Sequence, residues 1–305
     1  MLAINMSIAR VGRRLGSPRR LLPLLFVAPA LALLLVLRVW PMVQAFYLSF
    51  TSWDGISSPE WIGTDNFAYL FHDPIFKQAL VHNLLLLLAI PVWVILPFLI
   101  AAALHERVPG WRFFRAAFFL PALLSPVIIG VFFSIMLRED GAVNEILRSV
   151  GLGALAHGWL TESSTALIVV GAIIVWASFG IGVLIYLAAL STLDSELVDA
   201  ARLDGASWLQ VQRHVVFWEI LPVAQFWSVV VLISIFTALF PYVLTLTNGG
   251  PGYATYILDF DIYTEAFGGA NGAAGYASAV GVVLFLIVLV LSVIQLRLFR
   301  RRGDA

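Results

Sequence analysis

The chain is 305 residues long, 61% apolar and only 12% charged, with no net charge and a mean hydropathy of +0.96. A soluble domain is nearer half apolar and a quarter charged, so this surplus cannot close inside one water-soluble core, and the chain reads as an integral membrane protein. Zero net charge offers no strongly basic face to nucleic acid, and the absence of cysteine removes disulfides, thiolate metal sites, iron–sulfur clusters and cysteine nucleophiles together.

Six uncharged apolar stretches follow in chain order: Leu21–Leu37, Leu84–Leu104, Ala116–Leu137, Ala166–Leu190, Ile220–Leu246 and Tyr276–Leu296. Five reach about the 20 residues that cross ~30 Å of hydrocarbon. The first extends through Val39, Trp40, Pro41 and Met42, with Arg38 placed to snorkel at the outer interface. Backbone in lipid must satisfy its own hydrogen bonds, and no alternating ten-residue segments occur, so the stretches predict helices rather than a barrel. The expected fold is all-α: a single polytopic transmembrane domain over residues 1–305, with spans at about 21–42, 82–104, 116–137, 165–190, 220–246 and 276–296. Ala28-Pro29-Ala30 mimics a leader cleavage site, but the apolar run continues through Leu37, so an uncleaved first span is expected.

The charges set a direction. With a cytoplasmic amino terminus, the inner segments hold Arg10, Arg13, Arg14, Arg19, Arg20, Arg107, Arg112, Arg115, Arg202, Arg213, Arg297, Arg300, Arg301 and Arg302. Only Arg38, Lys77, Arg138 and Arg148 remain outside. That asymmetry predicts both termini in the cytoplasm. The loops between spans are uneven: a long outer segment at 38–83, a short basic inner turn at 105–115, an acidic outer segment at 138–165, an inner segment at 191–219, and a glycine-rich outer loop at 247–275.

Much chemistry is missing. The single lysine, Lys77, stands in Phe76-Lys77-Gln78, so no phosphate-binding P-loop is possible, and any ATP used must be hydrolysed by another chain. The five histidines are scattered without metal-ligand spacing; no catalytic residue and no metal site is expected. His72-Asp73 with His82 is the one hint of a membrane-embedded enzyme acting on lipid. No carboxylate lies well inside a span, which speaks against the alternative of an ion-coupled carrier or channel working without an ATPase. The interior polar groups are neutral and stand near aromatics. Trp176 and Ser178 on the fourth span, and Ser234, Phe236, Thr237 and Phe240 on the fifth, are candidates to line a path for a neutral polyhydroxylated ligand. Ordinary interhelical hydrogen bonding is the competing account of the same serines. Apart from Arg38 near one end, the spans carry no basic residue to hold a phosphate.

The inner segment 191–219 is the most informative. Asp194 or a neighbouring hydroxyl is placed to cap a short helix from about Ser195 to Leu203, and Glu196 and Asp199 suit its early turns. Asp204-Gly205 reads as a turn, and a second helix from about Ser207 to Val216 leads into the fifth span. Ala200, Ala201 and Gly205 leave little bulk, so another protein's surface can approach the backbone closely.

Asp199-Ala200-Ala201, three residues, then Gly205 resembles the EAA loop of ATP-binding-cassette importer permeases. Asp199 replaces the usual Glu, and Val215-Val216-Phe217-Trp218 stands where that family has I-x-L-P, with Trp218 in place of Pro; Pro222 matches a second proline. Other motifs are similar to the maltose and glycerol-phosphate uptake permeases. They are Ser49-Phe50-Thr51 and Trp61-Ile62-Gly63 in the first outer loop, Phe119-Leu120-Pro121 and Ser125-Pro126 in the third span, Thr247-Asn248-Gly249-Gly250-Pro251 with Thr255, and Gly275-Tyr276-Ala277-Ser278-Ala279. Pro241 occupies a place where many relatives have an acidic residue.

This resemblance implies a type I ABC importer permease fold with cytoplasmic coupling helices, in a bacterial inner (plasma) membrane. It implies that Asp199, Ala200, Ala201, Asp204 and Gly205 couple to an ATPase. It further implies a second homologous permease forming a heterodimer, two ATPase subunits carrying ATP and Mg, an external solute-binding protein and a carbohydrate substrate, with no cofactor on this chain. Asn248-Gly249-Gly250-Pro251 favours a tight turn with glycine at positive φ, serving either as a docking point for the binding protein or as a plain connection between spans.

Overall fold

The computed structural model describes residues 18–268 and 273–303. Arg10, Arg13 and Arg14 of the inner basic set lie outside the described residues. The chain divides into two units, residues 1–47 and 48–305. In the first, α1 (Pro18–Leu34), a π-helical turn (Leu35–Val39) and α2 (Trp40–Leu48) run on, and Phe26–Leu48 is long and apolar enough to cross a bilayer. Pro41 accounts for the wide turn, because its ring and missing N–H do not fit a regular α-turn against the carbonyl four residues back.

The second unit opens with a short ribbon. β1 (Thr51–Ser52) pairs antiparallel with β2 (Glu60–Trp61), with Thr51 opposite Trp61. Within the connecting turn Asp54 accepts from the backbone of Ile56 and Ser57 and from the Ser57 hydroxyl, bonds that hold its carboxyl down at about 2. After α3 (Asp65–Leu70), α4 (Pro74–Leu87) is capped by Asp73 and passes through a turn into α5 (Ile90–His105). Together they form a spanning helix over Pro74–His105, starting well before the expected boundary at 82 because Asp73-Pro74 is a strong start signal.

The third stretch differs from the expected single helix over 116–137. α6 (Trp111–Leu123) and α7 (Pro126–Met136) meet at a bend of 100°. Pro126 lacks an N–H and forces Ser125 into extended backbone (ψ 141°), so a continuous helix cannot form there. At ~1.5 Å per residue neither half alone crosses the hydrocarbon. The outer segment that follows carries α8 (Ala142–Ser149) and is closed by buried Asn144, which donates to three carbonyls and accepts from the Trp159 indole.

α9 (Ala166–Leu190) matches the fourth expected span and is the centre of the packing, touching both α5 and α6. Gly180 is where α6 crosses most closely: a Cβ there would lie 2.6 Å from the Phe118 carbonyl oxygen. The inner segment forms α10 (Ser195–Leu203), α11 (Trp208–Val211), a π-helical turn (Gln212–Val216) and α12 (Phe217–Glu219), the last three running on without a break. It meets α13 (Leu221–Thr237) at a bend of 79°. The expected fifth span, 220–246, is itself interrupted at Ala238–Leu239 before α14 (Phe240–Leu246). α15 (Leu258–Phe267) lies in the outer loop, and α16 (Ala274–Gly303) runs past the expected end at 296. Among the described residues four helices are long and apolar enough to span, or six when each bent pair counts as one.

The break in the fifth span is stabilised from outside it. The Asp259 carboxylate accepts from Leu239 N (2.9 Å) and Phe240 N (2.7 Å), and so caps α14. With Leu239 N engaged there, the Ile235 carbonyl accepts instead from buried Asn83 Nδ2 (2.7 Å), whose oxygen takes Leu258 N (2.9 Å). One amide therefore joins α4, α13 and α15. Asn83→Leu keeps the size but strands two buried backbone groups, so it is expected to destabilise the protein by about 2–4 kcal/mol. Thermal unfolding of the purified variant in detergent checks this.

Candidate functional site

Three places hold the residues singled out by the sequence. In the 191–219 segment, the Asp194 side chain accepts from Glu196 N (3.0 Å) and caps α10, as expected. Past its end, Gly205 N bonds the Arg202 carbonyl (3.0 Å) and Ala206 N bonds the Ala201 carbonyl (3.1 Å). These two bonds are a Schellman stop, which requires the left-handed backbone found at Gly205, φ +83°. Ser207 then opens the next helix, with Gln210 Oε1 accepting from both its N–H and its hydroxyl. The result is a two-helix elbow.

Ala201, Asp204 and Gly205 share a depression of about 360 Å³ with His214 and Val215. Asp199 faces a separate cleft of about 250 Å³, beside Arg202, Glu106 and His105, and Ala200 is exposed. Two contributors are not evident in the sequence. Glu106, at the end of α5, takes a 2.7 Å ion pair from Arg202 and ties the elbow to the second span. Leu203, 89% exposed, and Leu209 are exposed leucines of the elbow. An i,i+96 pair has no local signature in the sequence.

The six path candidates do not line one common cavity. Trp176 is 43% exposed, stands edge-on to Phe133, and opens onto an apolar cavity of about 780 Å³ between α4, α5, α6 and α9. Ser178 accepts from the Trp93 indole (2.5 Å) and donates to the Ile174 carbonyl, so interhelical bonding accounts for it. Phe236 is wholly buried. Ser234 and Thr237 each donate to the carbonyl four residues back, and Thr237 lies on the exposed face of α13. Phe240 is half-buried against Phe260 and Tyr263. His72 and His82 each bond a carbonyl through Nδ1.

In the 247–275 loop, Asn248 (φ +50°) and Gly249 (φ +81°) form the tight turn that the sequence suggests, followed by a cis Gly250–Pro251 bond. A Cβ at Gly249 would lie 2.8 Å from the Tyr256 ring, so both backbone and space call for glycine. Thr255 donates to the Gly250 carbonyl (2.8 Å) and bonds the Thr247 hydroxyl (2.6 Å). Asn248, Gly250 and Pro251 border a cavity of about 400 Å³ with Ser134, Arg138 and Thr161. Pro241 sits in the first turn of α14, where proline fits, and the acidic group at that break is Asp259.

The outer loop also holds buried carboxyls. Burial pushes Asp259 up to about 6, against the two N–H bonds it accepts. Burial, with the charges of Glu265 and Asp73, pushes Asp261 up to about 7, against the pull of the neighbouring Tyr256 hydroxyl. A carboxyl whose folded pKa is raised holds its proton longer when folded. Its stabilising share is complete below about pH 4 and is lost as pH rises through about 6 and 7. Hydrogen-exchange protection of α15, corrected for intrinsic rate, is thus expected to be at least about tenfold higher at pH 5 than at pH 8. Asp261→Asn is expected to remove most of that slope.

Residues 67–304 match the family described as "Binding-protein-dependent transport system inner membrane component". The chain is 35% identical to the probable ABC transporter permease protein YurN of Bacillus subtilis (strain 168), over 92% of this chain and 97% of that one. It is 32% identical to the probable starch degradation products transport system permease protein AmyD of Thermoanaerobacterium thermosulfurigenes, over 91% and 94%. In structure it is similar to a chain of a bacterial ABC transporter involved in the import of the acidic polysaccharide alginate, with a TM-score of 0.79 and 25% identity over 93% of this chain and 96% of that one.

Proposed function

This chain belongs to the family of binding-protein-dependent transport system inner membrane components, and from that premise we propose how it works. It is the multi-pass permease subunit of an ATP-binding-cassette importer, and the cargo is a carbohydrate, with a neutral di- or oligosaccharide favoured. The named roles of relatives in starch-product and polysaccharide uptake support a saccharide. The lack of basic residues along the spans, apart from Arg38, supports a neutral one.

The chain itself catalyses nothing. Two ATPase subunits, carrying ATP and Mg, supply the energy; a second, homologous permease completes a heterodimer; an external solute-binding protein delivers the sugar. Both termini face the cytoplasm. The single observation that carries the coupling role is the elbow: a Schellman stop at Gly205 between two short helices, with Leu203 and Leu209 exposed and a charge tie from Arg202 to Glu106. When the ATPase pair closes, it pushes this elbow. The push reaches the second span through the ion pair and the fifth span through the continuous Trp208–Glu219 helix. The Asn248–Pro251 turn is the docking point for the binding protein, on the side where the neighbouring cavity offers hydroxyls and Arg138. Thr237, Ser234, Trp176 and Phe240 are the path-lining residues, completed by the partner permease.

Purification of the tagged chain in mild detergent tests the reading. An ATPase and a second permease are expected to come with it at equal stoichiometry of permeases. Isolation of a chain that transports sugar with no ATPase attached supports the ion-coupled alternative instead.

A further inference from the structure

The inner turn between the second and third spans holds a cavity that coupling does not use. It encloses about 430 Å³ between the end of α5, the first turns of α6 and the last turns of α9. Arg107, Arg115 and His105 are its charged and titratable lining; Leu184 and Leu187 of α9 and Trp111 of α6 are its apolar lining. Neither arginine has an ion-pair partner among the described residues, because Glu106, the acid of this turn, is held by Arg202 at 2.7 Å. Arg107 keeps a left-handed backbone (φ +55°) that few non-glycine residues adopt, and strain of that kind concentrates at ligand sites. Trp111 and Arg115 are four apart on α6 and so share a face.

The geometry points to a binding site for the headgroup of an anionic phospholipid of the inner leaflet. The phosphodiester sits between Arg107 and Arg115, where two guanidiniums match its oxygens. The Trp111 indole lies at the boundary between headgroup and hydrocarbon, as tryptophan does at membrane interfaces. An acyl chain then covers Leu184 and Leu187. A soluble phosphate fits the charged lining but leaves the leucines uncovered, whereas a lipid covers both. Ser191 borders the cavity with its hydroxyl already donating to the Ala188 carbonyl (2.6 Å), so it is left to accept, for which a glycerol headgroup offers a hydroxyl. The site presupposes only that this turn faces the cytoplasm.

Native mass spectrometry of the full-length chain, titrated with phosphatidylglycerol or phosphatidylcholine, tests the site. Wild type is expected to hold phosphatidylglycerol about tenfold to thirtyfold more tightly. The preference is expected to vanish in Arg107→Asn/Arg115→Gln. Arg112→Gln removes a neighbouring charge that stacks over Trp111 instead of bordering the cavity, and is expected to keep it. Equal phosphatidylglycerol retention by wild type and the double variant overturns the proposal, as does loss of preference in Arg112→Gln. Displacement of the lipid by inorganic phosphate alone also overturns it, assigning the cavity to a soluble ion.

Discussion

Gly205→Asp is expected to leave the chain inserted and folded yet cut ATP-dependent uptake by at least about tenfold, with the ATPase no longer copurifying. The backbone at Gly205 is left-handed, which aspartate and asparagine tolerate better than other side chains, and nothing within 4 Å meets an added Cβ. The elbow itself therefore survives the substitution. What changes is the depression formed with Ala201 and Asp204, which gains bulk and a second carboxylate beside Asp204. Filling a close-packed contact costs about 1–3 kcal/mol, or roughly a tenfold to hundredfold loss of docking. Gly205→Val adds a second fault, since a β-branched residue resists positive φ, so uptake falls and protease sensitivity of the elbow rises as well. Wild-type uptake by Gly205→Asp would show that no partner surface closes over this glycine.

Gly180→Val is expected to be the most damaging single change in the spanning core. Its added Cβ would stand 2.6 Å from the Phe118 carbonyl oxygen and 2.9 Å from the Phe119 Cα, both of them backbone atoms of α6 that no rotamer change can move. Close helix approach in a membrane depends on small residues at the crossing. The two helices must separate, at a cost of about 3 kcal/mol or more, and the 100° bend of the third span shifts with them. Thermal stability in detergent should fall in steps from Gly180 to alanine to valine. Gly281→Ala, where only the Ile262 side chain comes within 4 Å, is expected to be harmless.

The apolar stretches, the elbow and the outer turn are legible in the sequence because each is a local effect. Asp194 as a cap, Gly205 as a stop and Asn248-Gly249 as a positive-φ turn need only their immediate neighbours. Ser125-Pro126 and Pro222 were equally visible, but hydropathy alone does not say whether a proline bends a span or merely opens one, so the 100° and 79° bends are structural findings. The remainder is long-range. Asn83 joining Ile235 and Leu258, Asp259 capping α14, and Glu106 holding Arg202 are contacts across distant segments with no spacing to betray them. Path lining was the least legible, for a physical reason. Ser178, Ser234 and Thr237 can each satisfy a carbonyl on their own helix, and they do, so a hydroxyl in a span carries little information about which way the cargo passes.

The claim that this chain forms a passage and receives its power stroke through residues 195–216 is tested most directly by reconstitution. Proteoliposomes are made with this chain alone and with its second permease, ATPase pair, binding protein and ATP. Accumulation of labelled oligosaccharide against its gradient is expected only in the complete set, and is expected to disappear with Gly205→Asp. Accumulation by the chain alone, without nucleotide, would contradict it.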